Sequence, residues 1–342
     1  MTDGAAETAD TTGAAWGAGI WELASLVTPM AIRVAATLRV ADHIAAGRRS
    51  SRELARTTGC DADALDRMLR HLVTAGVFRR TDEGYELAPR GEALRDDHPD
   101  SVRAWLDLDG ALGRADQCLV ELEHTIRTGE PAYPVRYGTG FWEELSADPD
   151  LSASFDSLMS KHVGFLVDAV SGAYDWGSVG HVVDVGGGDG SLMVGLLTDR
   201  PWLNGTVVDL EAPAAAARRK LALASLDERS EVITSSFFDP LPPGADCYVL
   251  SAILHDWADE PAVRILRHCA DAAGERGRVL VIESVGDDGN SPNTHMDLRM
   301  LAYLAGKERG LSAYRELARE AGLRVNAVWP AGSKSIIELV AS

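Results

Sequence analysis

The sequence predicts a doubly wound α/β sheet behind an amino-terminal helical domain, and three observations carry that reading. From about residue 180, the apolar, β-rich runs HVVDV, GTVVDL, EVITSSF, CYVLSA and RVLVIES alternate with helical stretches. Such alternation marks a parallel sheet covered on both faces. The glycine-rich turn GGGDG directly follows the first run, at the carboxyl end of a strand where such sheets bind ligands. The chain then closes with RVNAVWP, a short AGS turn and KSIIELVA, two strand-like runs expected to pair antiparallel at the sheet edge.

The elements before the sheet are justified in order. MTDGAAETADTTGAA has neither a basic start nor an apolar stretch, so residues 1–15 are expected to be a disordered tail rather than a signal peptide. Residues 16–100 form the amino-terminal domain. Within 29–46, Met30, Val34, Leu38, Ala41 and Ile44 recur at helical spacing. Ser50 and Glu53 make a capping box for a helix that Gly59 ends, and Asp61 or Asp63 caps the next, closed by Gly76. FRRTDEGYEL reads as a hairpin turning at Asp82–Gly84. Helix, helix, hairpin is a winged-helix pattern. Its would-be recognition helix sets Arg67 and Arg70 against Asp61, Asp63 and Asp66, a balance that repels a phosphate backbone and favours packing or dimerisation. Residues 101–175 read as a helical connector and pocket wall, interrupted by the loop TGEPAYPVRYGTG; residues 176–342 are the sheet domain.

Composition narrows the partners. The chain has 342 residues and a formal net charge of -19, which argues against nucleic acid or an anionic membrane surface. Residues 23–47 are apolar but broken by Pro29, Arg33 and Arg39, so no bilayer span is expected. Four cysteines without a CxxC predict reduced, cytoplasmic thiols and no metal cluster.

The glycine turn carries the chemistry. Gly186-x-Gly188 fits a dinucleotide fingerprint, but Ser191 stands where a third glycine belongs. Asp184-x-Gly186-x-Gly188-x-Gly190 is the better description. A carboxylate before the turn is a poor neighbour for pyrophosphate and a good one for an ammonium or sulfonium group, both of which S-adenosylmethionine has. Asp209, ending the next strand, can accept from ribose hydroxyls. On these residues alone an NAD-dependent oxidoreductase remains the alternative, with Asp189 a helix cap. Further along, His255 in LSAILHDWADE, Glu283 at the end of VLVIES and Glu308 in GKERG fall on the same rim of the sheet.

With these residues in hand, the sequence resembles the plant-caffeate-type and bacterial polyketide O-methyltransferases that use S-adenosylmethionine. The resemblance runs from about residue 20 through VDVGGGDG, TVVDL, SFFDPLP, LSAILHDW, MDLRMLAYLAGKERG and the FxxxMxxH of Phe155, Met159 and His162. It implies a Rossmann-like cofactor domain, a winged-helix-like dimerisation domain and a homodimer through the amino-terminal helices around Trp16 and Trp21. It also implies methylation of a phenolic hydroxyl on an aromatic polyketide of the hydroxynaphthoic acid type, without metal. His255 corresponds to the general base, and Glu283 and Glu308 to the carboxylates that orient it. Asp184, Gly186 and Gly188 lie in the cofactor loop, Asp209 at the ribose, Phe237 beside the adenine and Ser251 near the polar end. Phe155, Met159, His162 and Met300 line the acceptor pocket. Ser236 departs from the acid usual before the adenine-side Phe, which weakens that contact or routes it through water. At position 251 plant members carry Lys and bacterial ones commonly Ser. An anthracycline branch that lost simple methylation lacks the histidine kept here as His255. Arg136 and Arg299 could meet an acceptor carboxylate by residue type, but ion pairing is the expectation for both. A winged-helix ligand-binding regulator is the remaining alternative.

Overall fold

The computed structural model describes residues 18–287 and 293–342. The chain divides into two compact units, up to Leu108 and Asp109–Ser342.

The first unit begins with α1 (Ala18–Ala24), α2 (Val27–Thr37), α3 (Val40–Ala45), α4 (Ser51–Thr58) and α5 (Ala62–Thr74), followed by strands β1 (Phe78–Thr81) and β2 (Gly84–Leu87). The helical spacing read over 29–46 is divided between α2 and α3, because Arg39 takes a left-handed φ of 53° between them. The capping box forms as read: Ser50 Oγ accepts from the Glu53 amide, and Glu53 accepts from that of Ser50. Asp61, not Asp63, caps α5. The hairpin pairs Thr81 with Gly84. On α5, Arg70 pairs with Asp66 at 3.1 Å, and Asp66 also accepts from the buried Tyr85 hydroxyl. The arginine is committed within the protein. Leu54, Leu69, Leu72 and Phe78 pack into this unit's own core. By length and composition alone Gly19–Thr37, mean hydropathy 1.2, is apolar enough to cross a membrane, in contrast to the expectation from Pro29 and Arg33. Its helices are interrupted at Ser25 and Leu26.

The second unit opens with short helices between Ala111 and Ala147. The segment read as the loop TGEPAYPVRYGTG holds one of them, Ala132–Tyr137. Pro131 precedes it and Pro134 lies in its first turn, where no amide is needed, while Gly138 ends it at φ 75°. Then come α6 (Pro149–Ala173), β3 (His181–Val185), α7 (Ser191–Thr198), β4 (Asn204–Asp209), α8 (Glu211–Leu223), β5 (Ser230–Thr234), β6 (Cys247–Ser251), α9 (Asp259–Ala273), β7 (Arg278–Glu283), α10 (Thr294–Leu304), α11 (Leu311–Glu320), β8 (Leu323–Ala331) and β9 (Lys334–Ala341). The sheet order is β8-β9-β7-β6-β3-β4-β5. β3 to β7 are parallel, and β8 and β9 form the antiparallel edge pair the sequence predicts.

Alternation places the core. Val281 and Ile337 pack on the α9–α11 face, while their neighbours Leu280 and Ile336 pack with Leu196 and Val207 on the α6–α8 face. Each such side chain contributes about 1.5–3 kcal/mol when buried. Two filled faces leave only the strand ends for a ligand, and the parallel strands bring all their carboxyl ends to one rim.

Candidate active site

The glycine turn leaves β3 with Gly186, Gly188 and Gly190 all at positive φ, 73°, 57° and 77°, a backbone only glycine adopts without strain. The turn is also crowded: a Cβ on Gly186 would meet Ile253 Cδ1 at 2.5 Å and Phe237 Cε1 at 3.4 Å. Phe237 and Ile253 therefore lie against the loop, and Ile253 was not singled out in the sequence because nothing in LSAIL distinguishes it.

The two acids of the turn have different roles. Asp189 accepts from Lys220, from the Ser191 amide at 3.1 Å and from Ser191 Oγ at 2.6 Å. Burial favours its neutral form, but these donors hold its carboxyl below the usual range. It fastens the start of α7. Asp184 is buried, and neither of its oxygens has a hydrogen-bond partner among the described residues. Burial, with Asp209 and Asp189 adding, pushes its pKa up to about 7. Such a carboxylate lacks a cation. Asp209, raised by burial, accepts from the Gly188 amide at 2.8 Å and the Leu210 amide at 2.7 Å, so β4 holds the loop. Ser236 Oγ accepts from the Phe238 amide at 3.1 Å. Ser251 Oγ, at the end of β6, is buried with no partner among the described residues. Phe237 packs edge-on against Trp257, with ring centroids 5.9 Å apart.

His255 sits in one 3₁₀ turn, Leu254–Asp256, just past β6. Its Nδ1 lies 2.8 Å from Glu308 Oε1, so the carboxylate fixes the ring and favours a proton on that nitrogen. Glu283 acts differently from the sequence-based expectation of a second ring partner: its Oε1 accepts from the His255 backbone amide at 3.3 Å. Asp256 Oδ1 lies 3.4 Å from Nε2, a neighbour the sequence reading missed although it is the next residue. Burial alone would lower the His255 pKa, but the carboxylates of Glu283 and Asp256 and the bond to Glu308 outweigh it and raise the value to about 9.

Buried Arg309 clasps the two segments. It donates to the carbonyls of Leu254 at 2.7 Å and Trp257 at 2.8 Å, and to Asp259. The Lys307 amide donates to the His255 carbonyl at 2.8 Å, and the Glu308 amide to Asp297. Between them Gly306 packs so closely that a Cβ would meet the His255 carbonyl oxygen at 2.3 Å. Gly306→Ala is therefore expected to part His255 from Glu308, lowering kcat about tenfold to a hundredfold with cofactor affinity unchanged in a binding titration.

Of the residues expected to line the acceptor pocket, Met300 is buried with Phe141, Tyr303 and Cys118, and Phe155 packs edge-on against Phe141 and Trp142. Met159 is half-buried on α6. The His162 side chain lies outside the described residues. Arg299 pairs with Asp116 at 2.7 Å, and Arg136 lies over the Tyr137 ring; the first is the ion pair expected. Among the described residues no group of three His, Cys, Asp or Glu side chains could hold a metal ion.

Residues 119–324 match the O-methyltransferase domain, and residues 21–97 the O-methyltransferase dimerisation domain. The chain is 57% identical to a 2,7-dihydroxy-5-methyl-1-naphthoate 7-O-methyltransferase of Streptomyces carzinostaticus, across 94% of this chain and 97% of that one. It is 44% identical to an aclacinomycin 10-hydroxylase of Streptomyces purpurascens, across 92% and 86%. The crystal structure of an O-methyltransferase from neocarzinostatin biosynthesis, in complex with S-adenosylmethionine and 2-hydroxy-5-methyl naphthoic acid, superposes with a TM-score of 0.92 at 56% identity, covering 96% of this chain and 100% of that one.

Proposed function

Because the chain belongs to the O-methyltransferase family, we propose that it uses S-adenosylmethionine to methylate a phenolic hydroxyl of a hydroxynaphthoic acid-type aromatic polyketide, with His255 as general base. The relative of 57% identity acts on a dihydroxynaphthoate, and the superposed structure binds both a naphthoic acid and S-adenosylmethionine. The observation that supports the reading is that Ile253, two residues before His255, packs against Gly186 of the glycine loop.

The donor set fits this cofactor. When bound, S-adenosylmethionine supplies an electrophilic methyl group on a sulfonium cation. Asp184 offers an unpartnered buried carboxylate to a cationic group, and Ser251 an unpartnered hydroxyl. Asp209 retains lone pairs for a ribose, Phe237 a ring face for adenine, and Gly186 and Gly188 let the backbone approach. Ser236 contributes only what its amide-bonded hydroxyl has left to donate. Met159, Met300, Phe155 and His162 are assigned to the acceptor pocket. Residues 16–100 are assigned to dimerisation, 101–175 to the connector and pocket wall, and 176–342 to the cofactor domain.

His255 takes the phenol proton on the nitrogen opposite Glu308. Against an ordinary histidine, a phenol of pKa ~10 gives up its proton at a cost of about 5 kcal/mol. Against an imidazole raised to about 9, the gap shrinks to about 1.4 kcal/mol. The same elevation leaves most of the free enzyme protonated at neutral pH. Incubation with labelled methyl donor and hydroxynaphthoic acids is expected to give a singly methylated ether by mass, with kcat/KM rising as pH climbs toward about 9. No ether from any hydroxynaphthoate would overturn the acceptor class.

Ile20, Trp21 and Leu23 are all more than two-thirds exposed in the single chain, which supports a homodimer through these helices. Sedimentation as a monomer at micromolar concentration would refute it.

A further inference from the structure

The edge hairpin places a buried cation beside the site. β9 runs antiparallel to β7, with Ser335 opposite Glu283. An antiparallel strand begins where its parallel neighbours end, so Lys334, the first residue of β9, stands on the ligand rim. Its Nζ is 3.8 Å from Glu283 Oε2, with the lysine side chain 8% exposed and the glutamate 1%. That oxygen has no hydrogen-bond partner among the described residues, and the other takes the His255 amide. A lysine is rarely buried this far without a role in pairing.

We infer that Lys334 is a positioning residue for the base: its ammonium anchors Glu283 under the His255 turn and limits the negative potential around the imidazole. The inference rests on His255 being the base. The groups facing the ring are Asp256 on its own turn, Glu283 from β7, Glu308 from the loop after α10, and Lys334. Arg309 is committed to Asp259 and backbone carbonyls. The Tyr314 hydroxyl is buried, and burial followed by Glu283 keeps it neutral. Three carboxylates around one imidazole stabilise the imidazolium, which cannot accept a proton. Lys334 is the cation that counters them; it opposes the protonation of His255 and of Asp256.

The test uses the full chain with Lys334→Met, Lys334→Gln and Lys334→Arg, each checked for a thermal shift with S-adenosylhomocysteine. In Lys334→Met the acid limb of kcat/KM is expected to move up by about one pH unit, a loss of about tenfold near neutral pH, with the high-pH plateau within about threefold of the original. Lys334→Gln does the same, which covers a failure of the methionine variant to fold, and Lys334→Arg restores the limb. A uniform loss at every pH, or an unmoved limb, overturns the inference. NMR titration of the His255 ring, assigned by its absence in His255→Ala, reads the lysine without turnover: its midpoint must rise in Lys334→Met. An unmoved midpoint sinks the lysine's role, whereas turnover retained in His255→Ala sinks the base assignment alone.

Discussion

His255→Ala is expected to lower kcat for methyl transfer by about 10²–10⁴-fold, the range for losing a positioned general base, while S-adenosylhomocysteine affinity stays within about threefold. The two readouts separate because His255 belongs to the turn after β6, whereas the groups proposed for the cofactor come from β3, β4 and the end of β6. The side chain is mostly buried, and its Nδ1 is held 2.8 Å from Glu308, which leaves Nε2 as the nitrogen proposed to take the proton. Glu308→Gln should lie between the two: the amide can hold the ring but carries no charge, so the imidazole falls toward its ordinary pKa, the acid limb moves down and the maximal rate falls. If His255→Ala kept most of its turnover with cofactor still binding, the phenol would have to reach the site already ionised. Single-turnover mixing of the variant with labelled donor decides this.

Features that live within one element could be read in the sequence, and those that depend on which elements meet could not. Residue period and composition gave β3 to β7, the edge pair, the capping box of Ser50 and Glu53 and the rim position of His255, since each follows from local geometry. The helix at Ala132–Tyr137 was hidden because prolines and glycines mark a loop unless their placement at a helix start and end is counted. The split at Arg39 left no mark, because a left-handed arginine has no signature in sequence. The roles of the loop acids were legible in part, Asp189 as a helix cap. That Lys220 also fastens Asp189 was not legible, since the lysine arrives from α8 and leaves Asp184 without a partner among the described residues. Lys334 is 51 positions beyond Glu283, and only the register of β9 on β7 brings them together.

Asp184→Asn should have opposite effects on the empty and the loaded protein, and that opposition is its value. Burial raises the Asp184 pKa in the folded chain from its ordinary 3.8 to about 7. An acid whose folded pKa is raised binds its proton more tightly when folded. Its ionisation therefore destabilises the fold: the penalty is absent below about pH 4, grows as pH rises, and is complete above about pH 7, where it amounts to at most about 4 kcal/mol. Asparagine has no such penalty, so the variant without ligand should melt higher than the parent at about pH 8 and equally near pH 4. Asp156, about 6, and Asp209 are raised in the same direction by burial, so part of the penalty persists in the variant. With ligand the order reverses. A buried carboxylate paired with an ammonium makes a charged hydrogen bond of about 1.5–3 kcal/mol, and its loss should weaken S-adenosylhomocysteine about tenfold to a hundredfold. The ammonium is common to donor and product, so S-adenosylmethionine should weaken by the same factor; a loss confined to the donor would assign Asp184 to the sulfonium instead. Calorimetric titration of both ligands, with melting curves at the two pH values, measures every term. A variant that melts no higher at pH 8 and binds both ligands as the parent does would mean that this carboxylate neither lacks nor meets a cation.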